Sequence, residues 1–276
     1  MSNEKKQESC RQPIGVFDSG MGGISVLREL VKVMPHEDFI YFGDSVNAPY
    51  GTRPTEQIRD LTIHHVESLM AQGAKGVVVA CNTATSAAVA VLRKMYPQLP
   101  LVGIEPALKP AAVEKPGSRI VVMATPMTIK QEKFCNLMKR YEDKIRIVPL
   151  PCPGLMEFVE RGDLNGDDLR EYLQKLLTPV MKEPVDGIVL GCTHYPLLRS
   201  RIMAYLGEQV HIVNPAYETA IDLKGILEKN GTANHSGRPA TYEFYVSDAA
   251  EKFTKLANTI LPYDVATTKK INIEEY

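Results

Sequence analysis

The sequence predicts an α/β protein of two similar parallel-sheet domains related by pseudo-two-fold symmetry, with the active site in the cleft between them. Three observations carry this. Short apolar, β-branched runs alternate with helix-like stretches, the pattern of parallel βαβ units. The runs recur at matching spacings in two halves of the chain. In each half the third run leads directly into a cysteine, Cys81 or Cys192.

The strand-like runs, in order, are 14–17, 39–42, 76–80, 101–104, 120–123, 145–150, 187–190 and 210–213. Helix-like patterns lie at 23–33, 55–72, 84–95, 128–141, 169–181 and 197–206. Ile14 and Phe39 are 25 residues apart, as are Ile120 and Ile145. The first strand of each half ends at Asp18 or Thr125, 63 residues before Cys81 and 67 before Cys192. Each half then reaches an x-Pro-Ala step, Glu105-Pro106-Ala107 and Asn214-Pro215-Ala216. Four landmarks in the same order imply a duplicated unit. Beyond Ala216 come a helix-like stretch at 217–229, a strand at 241–246 and a helix at 249–261, a surplus expected to pack back on the first half. The expected division is a disordered polar tail at 1–12, a first domain of 13–103 plus 214–276, and a second domain of 104–213.

Composition narrows the function classes. The 276 residues are 44% hydrophobic and 24% charged, and 32 basic against 33 acidic residues leave a formal net charge of −1. That balance offers no footprint for nucleic acid or membrane. No apolar run approaches the roughly 18 residues of a membrane span. The polar opening lacks the apolar stretch of a signal peptide, so a cytoplasmic protein is expected.

The five cysteines, 10, 81, 135, 152 and 192, are scattered and contain no Cys-x-x-Cys, so each is judged singly. A free cysteine is most often a small core residue. Cys81 and Cys192 differ because each ends a strand and opens a helix pattern, where unpaired N–H groups and the helix dipole favour a thiolate. Ligands of parallel sheets bind at the carboxyl ends of strands, where Asp18, Cys81, Thr125 and Cys192 all fall. Cys10 and Cys135 take the ordinary structural interpretation, and Cys152, between two prolines, is unassigned.

Other motifs remain open between function and scaffold. Gly20-Met21-Gly22-Gly23 is either an anion-friendly turn or a tight strand-to-helix turn, since Ser25 breaks the dinucleotide pattern and no Gly-Lys-Ser/Thr completes a P-loop. Cys192-Thr193-His194 invites a metal, but no second Cys/His pair has suitable spacing. His194 is better read as a proton partner of the thiol. His64 and His65 are expected at the surface or in packing. The 44–51 segment is a loop able to cover a cleft or a plain connection, and Glu160 alone suggests only surface.

Taken together, Gly15-Val16-Phe17-Asp18-Ser19-Gly20-Met21-Gly22-Gly23, Gly43-Asp44-Ser45, Ala48-Pro49-Tyr50-Gly51, Ala80-Cys81-Asn82-Thr83-Ala84 and Leu190-Gly191-Cys192-Thr193-His194-Tyr195-Pro196 closely resemble the glutamate racemase family over 14–220. The resemblance implies cofactor-independent interconversion of L- and D-glutamate, supplying D-glutamate for peptidoglycan. It implies Cys81 and Cys192 as the acid/base pair, Asp18 assisting the first, and His194 with Glu160 assisting the second. Asp18, Ser19, Tyr50, Gly51, Asn82, Thr83, Thr193 and His194 would hold the substrate, no metal would be bound, and a homodimer is expected. One departure is Met123-Ala124-Thr125-Pro126-Met127-Thr128, where the family more often carries Gly-Thr and a second glycine before the next threonine. Two alternatives stay open: a non-catalytic amino-acid or phosphate-binding module on the same fold, and a racemase acting on aspartate. The Lys-centred context of a pyridoxal phosphate enzyme is missing.

Overall fold

The computed structural model describes residues 9–106, 108, 116–207, 209–248 and 250–261, and the backbone of 269–270. Along the chain the strands are β1 (Ile14–Asp18), β2 (Phe39–Gly43), β3 (Gly76–Val79), β4 (Leu101–Gly103), β5 (Arg119–Ala124), β6 (Arg146–Pro151), β7 (Gly187–Gly191), β8 (His211–Val213), β9 (Tyr242–Val246) and β10 (Lys269–Lys270). The helices are α1 (Ile24–Val33), α2 (Thr55–Ala71), α3 (Asn82–Met95), α4 (Pro126–Lys130), α5 (Glu132–Lys139), α6 (Leu155–Glu160), α7 (Asp167–Leu177), α8 (Arg199–Leu206), α9 (Ala216–Asn230) and α10 (Ala250–Ile260).

Two compact units result, one of the residues up to Ile104 with those from Ala216 onward, the other of Glu105–Pro215. The first holds a sheet ordered β10-β9-β2-β1-β3-β4, the second a sheet ordered β6-β5-β7-β8. Every pairing is parallel. The order β2-β1-β3-β4 is therefore repeated as β6-β5-β7-β8, the sequence repeat expressed as topology.

In the first unit, alternation along β1 splits the core in two. Ile14 and Val16 join Leu27 and Leu30 of α1, Ala220, Leu223 and Leu227 of α9, and Phe253 of α10. Gly15 faces the other way, where an added Cβ would lie 3.1 Å from Leu69 of α2. Full burial of each of these leucines contributes about 1.5–3 kcal/mol. In the second unit Ile120, Val122, Val189 and Val213 pack with Phe134 and Leu137 of α5. β6 is an edge strand and carries Pro149 and Pro151, which have no N–H to give to a further strand.

Two local expectations change. The helix expected over 128–141 begins earlier and is broken: Thr125 caps α4 with Pro126 at its first position, and Gln131 is extended (φ −69°, ψ 136°) and starts α5. The expected tail through Gln12 is tied down from residue 9, since Gln12 N–H donates to the Ser9 carbonyl and the buried Lys75 ammonium to the Cys10 carbonyl at 2.7 Å. Residues 1–8, Ala107 and Ala249 lie outside the described residues. Lys75 also bonds Glu37 Oε2 at 2.5 Å and the Thr232 carbonyl at 2.9 Å, while Glu37 Oε1 accepts from Asn234 N–H at 2.8 Å. This buried ion pair clasps the start of β3 to the segment after α9. Among the described residues no helix is long and apolar enough to cross a membrane.

Candidate active site

In the first unit the chain leaves β1 towards β2 on one side and returns through β3 on the other, so the β1/β3 boundary is the switch point of the sheet. Asp18 ends β1, and Cys81 follows the last residue of β3 by two. Cys81 is buried and N-caps α3: its Sγ accepts from Ala84 N–H at 3.5 Å and from the Ser19 hydroxyl at 3.2 Å. Donors at a helix N-terminus are the kind that stabilise a thiolate.

Asp18 is fully buried, and its Oδ2 accepts from Gly20 N–H at 3.1 Å. The glycine run is thus a tight turn that wraps the protein's own carboxylate. Gly23 is required by space, because an added Cβ would lie 2.5 Å from the Asp18 Cβ and 2.8 Å from the Tyr41 hydroxyl. Asn82 and Thr83 open α3 and are buried. Neither side-chain atom of Asn82 has a hydrogen-bond partner among the described residues. A buried amide left so costs about 1–3 kcal/mol per group.

Tyr50 and Gly51 lie in a 3-10 turn, Tyr50–Thr52. The Tyr50 hydroxyl donates to Asp44 Oδ2 at 2.8 Å, and His65 Nε2 lies 3.1 Å from the same oxygen. Burial, reinforced by Asp44, Cys81 and Asp18, pushes the Tyr50 phenol well above its usual pKa. Burial raises the Asp44 carboxyl, but the His65, Tyr50 and Asn47 contacts outweigh it and hold it below the ordinary value. Burial lowers the His65 imidazole despite that carboxylate. The expectation of surface or packing histidines is met by both: His64 is exposed, and His65 is fully buried in packing, where it also bonds a carboxylate. The signal was available: His65 continues the buried stripe Ile58, Thr62, Leu69 of α2.

In the second unit the corresponding boundary is β5/β7. Thr125 follows β5, and its Oγ1 accepts from Thr128 N–H at 3.2 Å and pairs with the Thr128 hydroxyl at 3.0 Å. The stretch that departs from the family pattern is thus a capped helix start. Cys192 directly follows β7 and is buried, but unlike Cys81 it caps no α-helix; a 3-10 turn, Tyr195–Leu198, intervenes before α8. Its partner is instead His194, with Nδ1 3.6 Å from Sγ. His194 Nε2 lies 2.5 Å from Oε1 of Glu160, the last residue of α6. Burial pushes the His194 imidazole down, but Cys192 and Glu160 on either side more than offset it and set its pKa well above the ordinary 6.5. The result is a file of Cys192, His194 and Glu160, ending at a side chain 20% exposed. The Thr193 hydroxyl lies 3.5 Å from His194 Nδ1.

The thiols of the remaining cysteines have backbone carbonyls as their hydrogen-bond partners. The Cys152 thiol donates to the Leu150 carbonyl at 3.2 Å, and burial, reinforced by Cys192, pushes its pKa far up. Cys135 contacts the Ile129 carbonyl at 3.8 Å, and Cys10 the Gly231 carbonyl at 3.5 Å. Among the described residues no group of three or more His, Cys, Asp or Glu is placed to hold a metal ion.

Fold and side chains together define a duplicated parallel α/β protein with a buried thiol at the switch point of each sheet. The chain belongs to the Asp/Glu/hydantoin racemase family, whose model matches residues 14–220. It is 48% identical over 252 residues to the glutamate racemase of Clostridium novyi, covering 91% of this chain and 97% of that one. With a glutamate racemase of Clostridium perfringens it shares 45% over 249 residues, 90% and 96% of the two chains. Among solved structures, a glutamate racemase isoform from Bacillus anthracis superposes with a TM-score of 0.85 at 32% identity, covering 95% of this chain and 97% of that one. The Escherichia coli glutamate racemase in complex with L-glutamate and the activator UDP-MurNAc-ala gives 0.82 at 29% identity, covering 95% and 98%.

Proposed function

We propose that this protein interconverts L- and D-glutamate by a two-base proton transfer between Cys81 and Cys192, without metal or organic cofactor. The observation that carries the proposal is the matched thiol at the switch point of each sheet, in a chain related to named glutamate racemases over nearly its whole length. Racemisation removes a proton from one face of the α-carbon and returns another to the opposite face. One thiolate abstracts, the other thiol donates, and the pair exchanges protonation states with each turnover. The α-proton is far less acidic than a thiol, so donors must meet the charge that develops on the α-carboxylate.

Asp18 serves the Cys81 side as proton partner, and His194 backed by Glu160 serves the Cys192 side. Asp18, Ser19, Tyr50, Gly51, Asn82, Thr83, Thr193 and His194 hold glutamate, and the unpartnered amide of Asn82 is suited to a substrate carboxylate or ammonium. The product supplies peptidoglycan synthesis in the cytoplasm, and the working assembly is a homodimer.

The test is circular-dichroism turnover of L- and D-glutamate beside L- and D-aspartate. Glutamate should turn over in both directions, and Cys81→Ala or Cys192→Ala should each abolish it while the far-UV spectrum stays native. In D2O the first D-glutamate formed from L-glutamate should carry deuterium, while unreacted L-glutamate stays protiated. Faster turnover of aspartate, or substantial racemisation by either alanine variant, would overturn the proposal.

A further inference from the structure

Asp44 is a buried carboxylate that no Lys or Arg pairs with among the described residues. Its charge is met by hydrogen-bond donors alone, drawn from three parts of the first unit. Tyr50 and Asn47 come from its own loop, with Asn47 Nδ2 at 3.0 and 3.2 Å from the two oxygens. Ser247, just past β9, donates from its hydroxyl to Asp44 Oδ1 at 3.1 Å, and the Ser247 hydroxyl oxygen itself accepts from Val46 N–H at 2.9 Å. His65 reaches in from α2. The Asp44 backbone N–H donates to the Asp18 carbonyl at 3.0 Å, which places this hub at the carboxyl end of β1.

The surroundings of His65 are otherwise apolar. Its ring centroid lies 5.0 Å from that of Phe17 and 4.6 Å from that of Phe42, and beyond Asp44 the other titratable group against it is exposed His64. Nδ1 has no partner among the described residues. An apolar side chain would fill such a space without leaving a ring nitrogen unmet, so the polarity of His65 must serve Nε2. Donation to a carboxylate requires the tautomer with its proton on Nε2.

We infer that His65 is a positioning residue for the substrate turn: by donating from Nε2 to Asp44 it fixes the Tyr50 phenol and, through it, the backbone N–H groups of the Tyr50–Thr52 turn. The kinetic consequence rests on the glutamate-racemase function proposed above, whereas the structural consequence does not. His65 touches no substrate; it acts through Asp44 and Tyr50. Arg53 completes the arrangement, its Nε donating to the Asn47 carbonyl at 2.5 Å and its N–H to the Tyr50 carbonyl at 3.2 Å.

The experiment compares the full-length protein with His65→Leu, which removes the donor, and His65→Gln, which returns an amide donor at the Nε2 position. Hydrogen exchange is read over peptides covering 44–53, together with kcat and KM for glutamate. His65→Leu should speed exchange in 44–53 about tenfold and raise KM about tenfold with kcat within about twofold, the effect of one hydrogen bond to a charged group. His65→Gln should bring both back to within about threefold of the unaltered protein. Unchanged exchange and unchanged KM in His65→Leu would overturn the inference. So would equal losses in the two variants with a lowered melting temperature and normal KM, the mark of packing alone. Should His65→Leu not fold, Ser247→Ala replaces it and must loosen 44–53 more than His65→Gln does; the reverse order refutes the role. An unaltered protein inert towards glutamate would sink the functional proposal, yet the exchange data would still decide the role of His65.

Discussion

Replacing Glu160 by Gln is the most direct probe of the Cys192 half-site. The side chain keeps its shape and an acceptor oxygen but loses its charge, opposite an imidazole that is 1% exposed and 2.5 Å away. A hydrogen bond to a charged group contributes about 1.5–3 kcal/mol, and charge roughly doubles the strength of such a bond, so about 1–1.5 kcal/mol should be lost. If His194 acts mainly in the transition state, kcat falls about tenfold with KM nearly constant. The pH profile supplies an independent sign. Glu160 is one of two groups that raise the His194 pKa against burial, so its loss should move the basic limb of kcat to lower pH. A raised pKa contributes stability fully below the ordinary 6.5, and this is lost as pH rises through the folded value. The melting-temperature gap between the parent and Glu160→Gln should therefore be widest below pH 6.5 and close as pH climbs. A Glu160→Gln enzyme with unaltered kcat and an unmoved basic limb would refute the relay.

Two further outcomes test the scaffold. Gly23→Ala drives a methyl against Asp18 and the Tyr41 hydroxyl, and should cost about 1–3 kcal/mol in urea denaturation along with activity. Lys75→Met strands the buried Glu37 carboxylate and should cost about 3–5 kcal/mol, whereas the double variant with Glu37→Leu recovers much of that loss in the same denaturation assay.

The strands were legible because each is a short β-branched run bounded by polar turns, and β1, β3 and β7 lie within a residue or so of where the pattern puts them. The duplication was legible from four landmarks and returns as the shared strand order. What stayed hidden depends on contacts between distant residues. Nothing local to Glu160 points to His194, 34 residues away, and only the family resemblance singled it out. The Asp44–His65 pair joins a strand end to the middle of a helix 21 residues on. The break at Gln131 was missed because periodicity continues across it while one backbone torsion leaves the helical region.

The division of the chain into units sets an order of assembly during synthesis. The second unit is one uninterrupted run, Glu105–Pro215, and has all four of its strands once that run has left the ribosome. The first unit begins earlier but closes later, because α9, β9 and α10 supply the partners of α1 and β2. Until about residue 260 has emerged, Leu27, Leu30 and Phe39 wait without the Leu223, Phe244 and Phe253 they pack against. The N-terminal portion is thus born first and finished last, and a nascent chain stalled just past Pro215 would carry a complete second unit beside an open, adhesive first one.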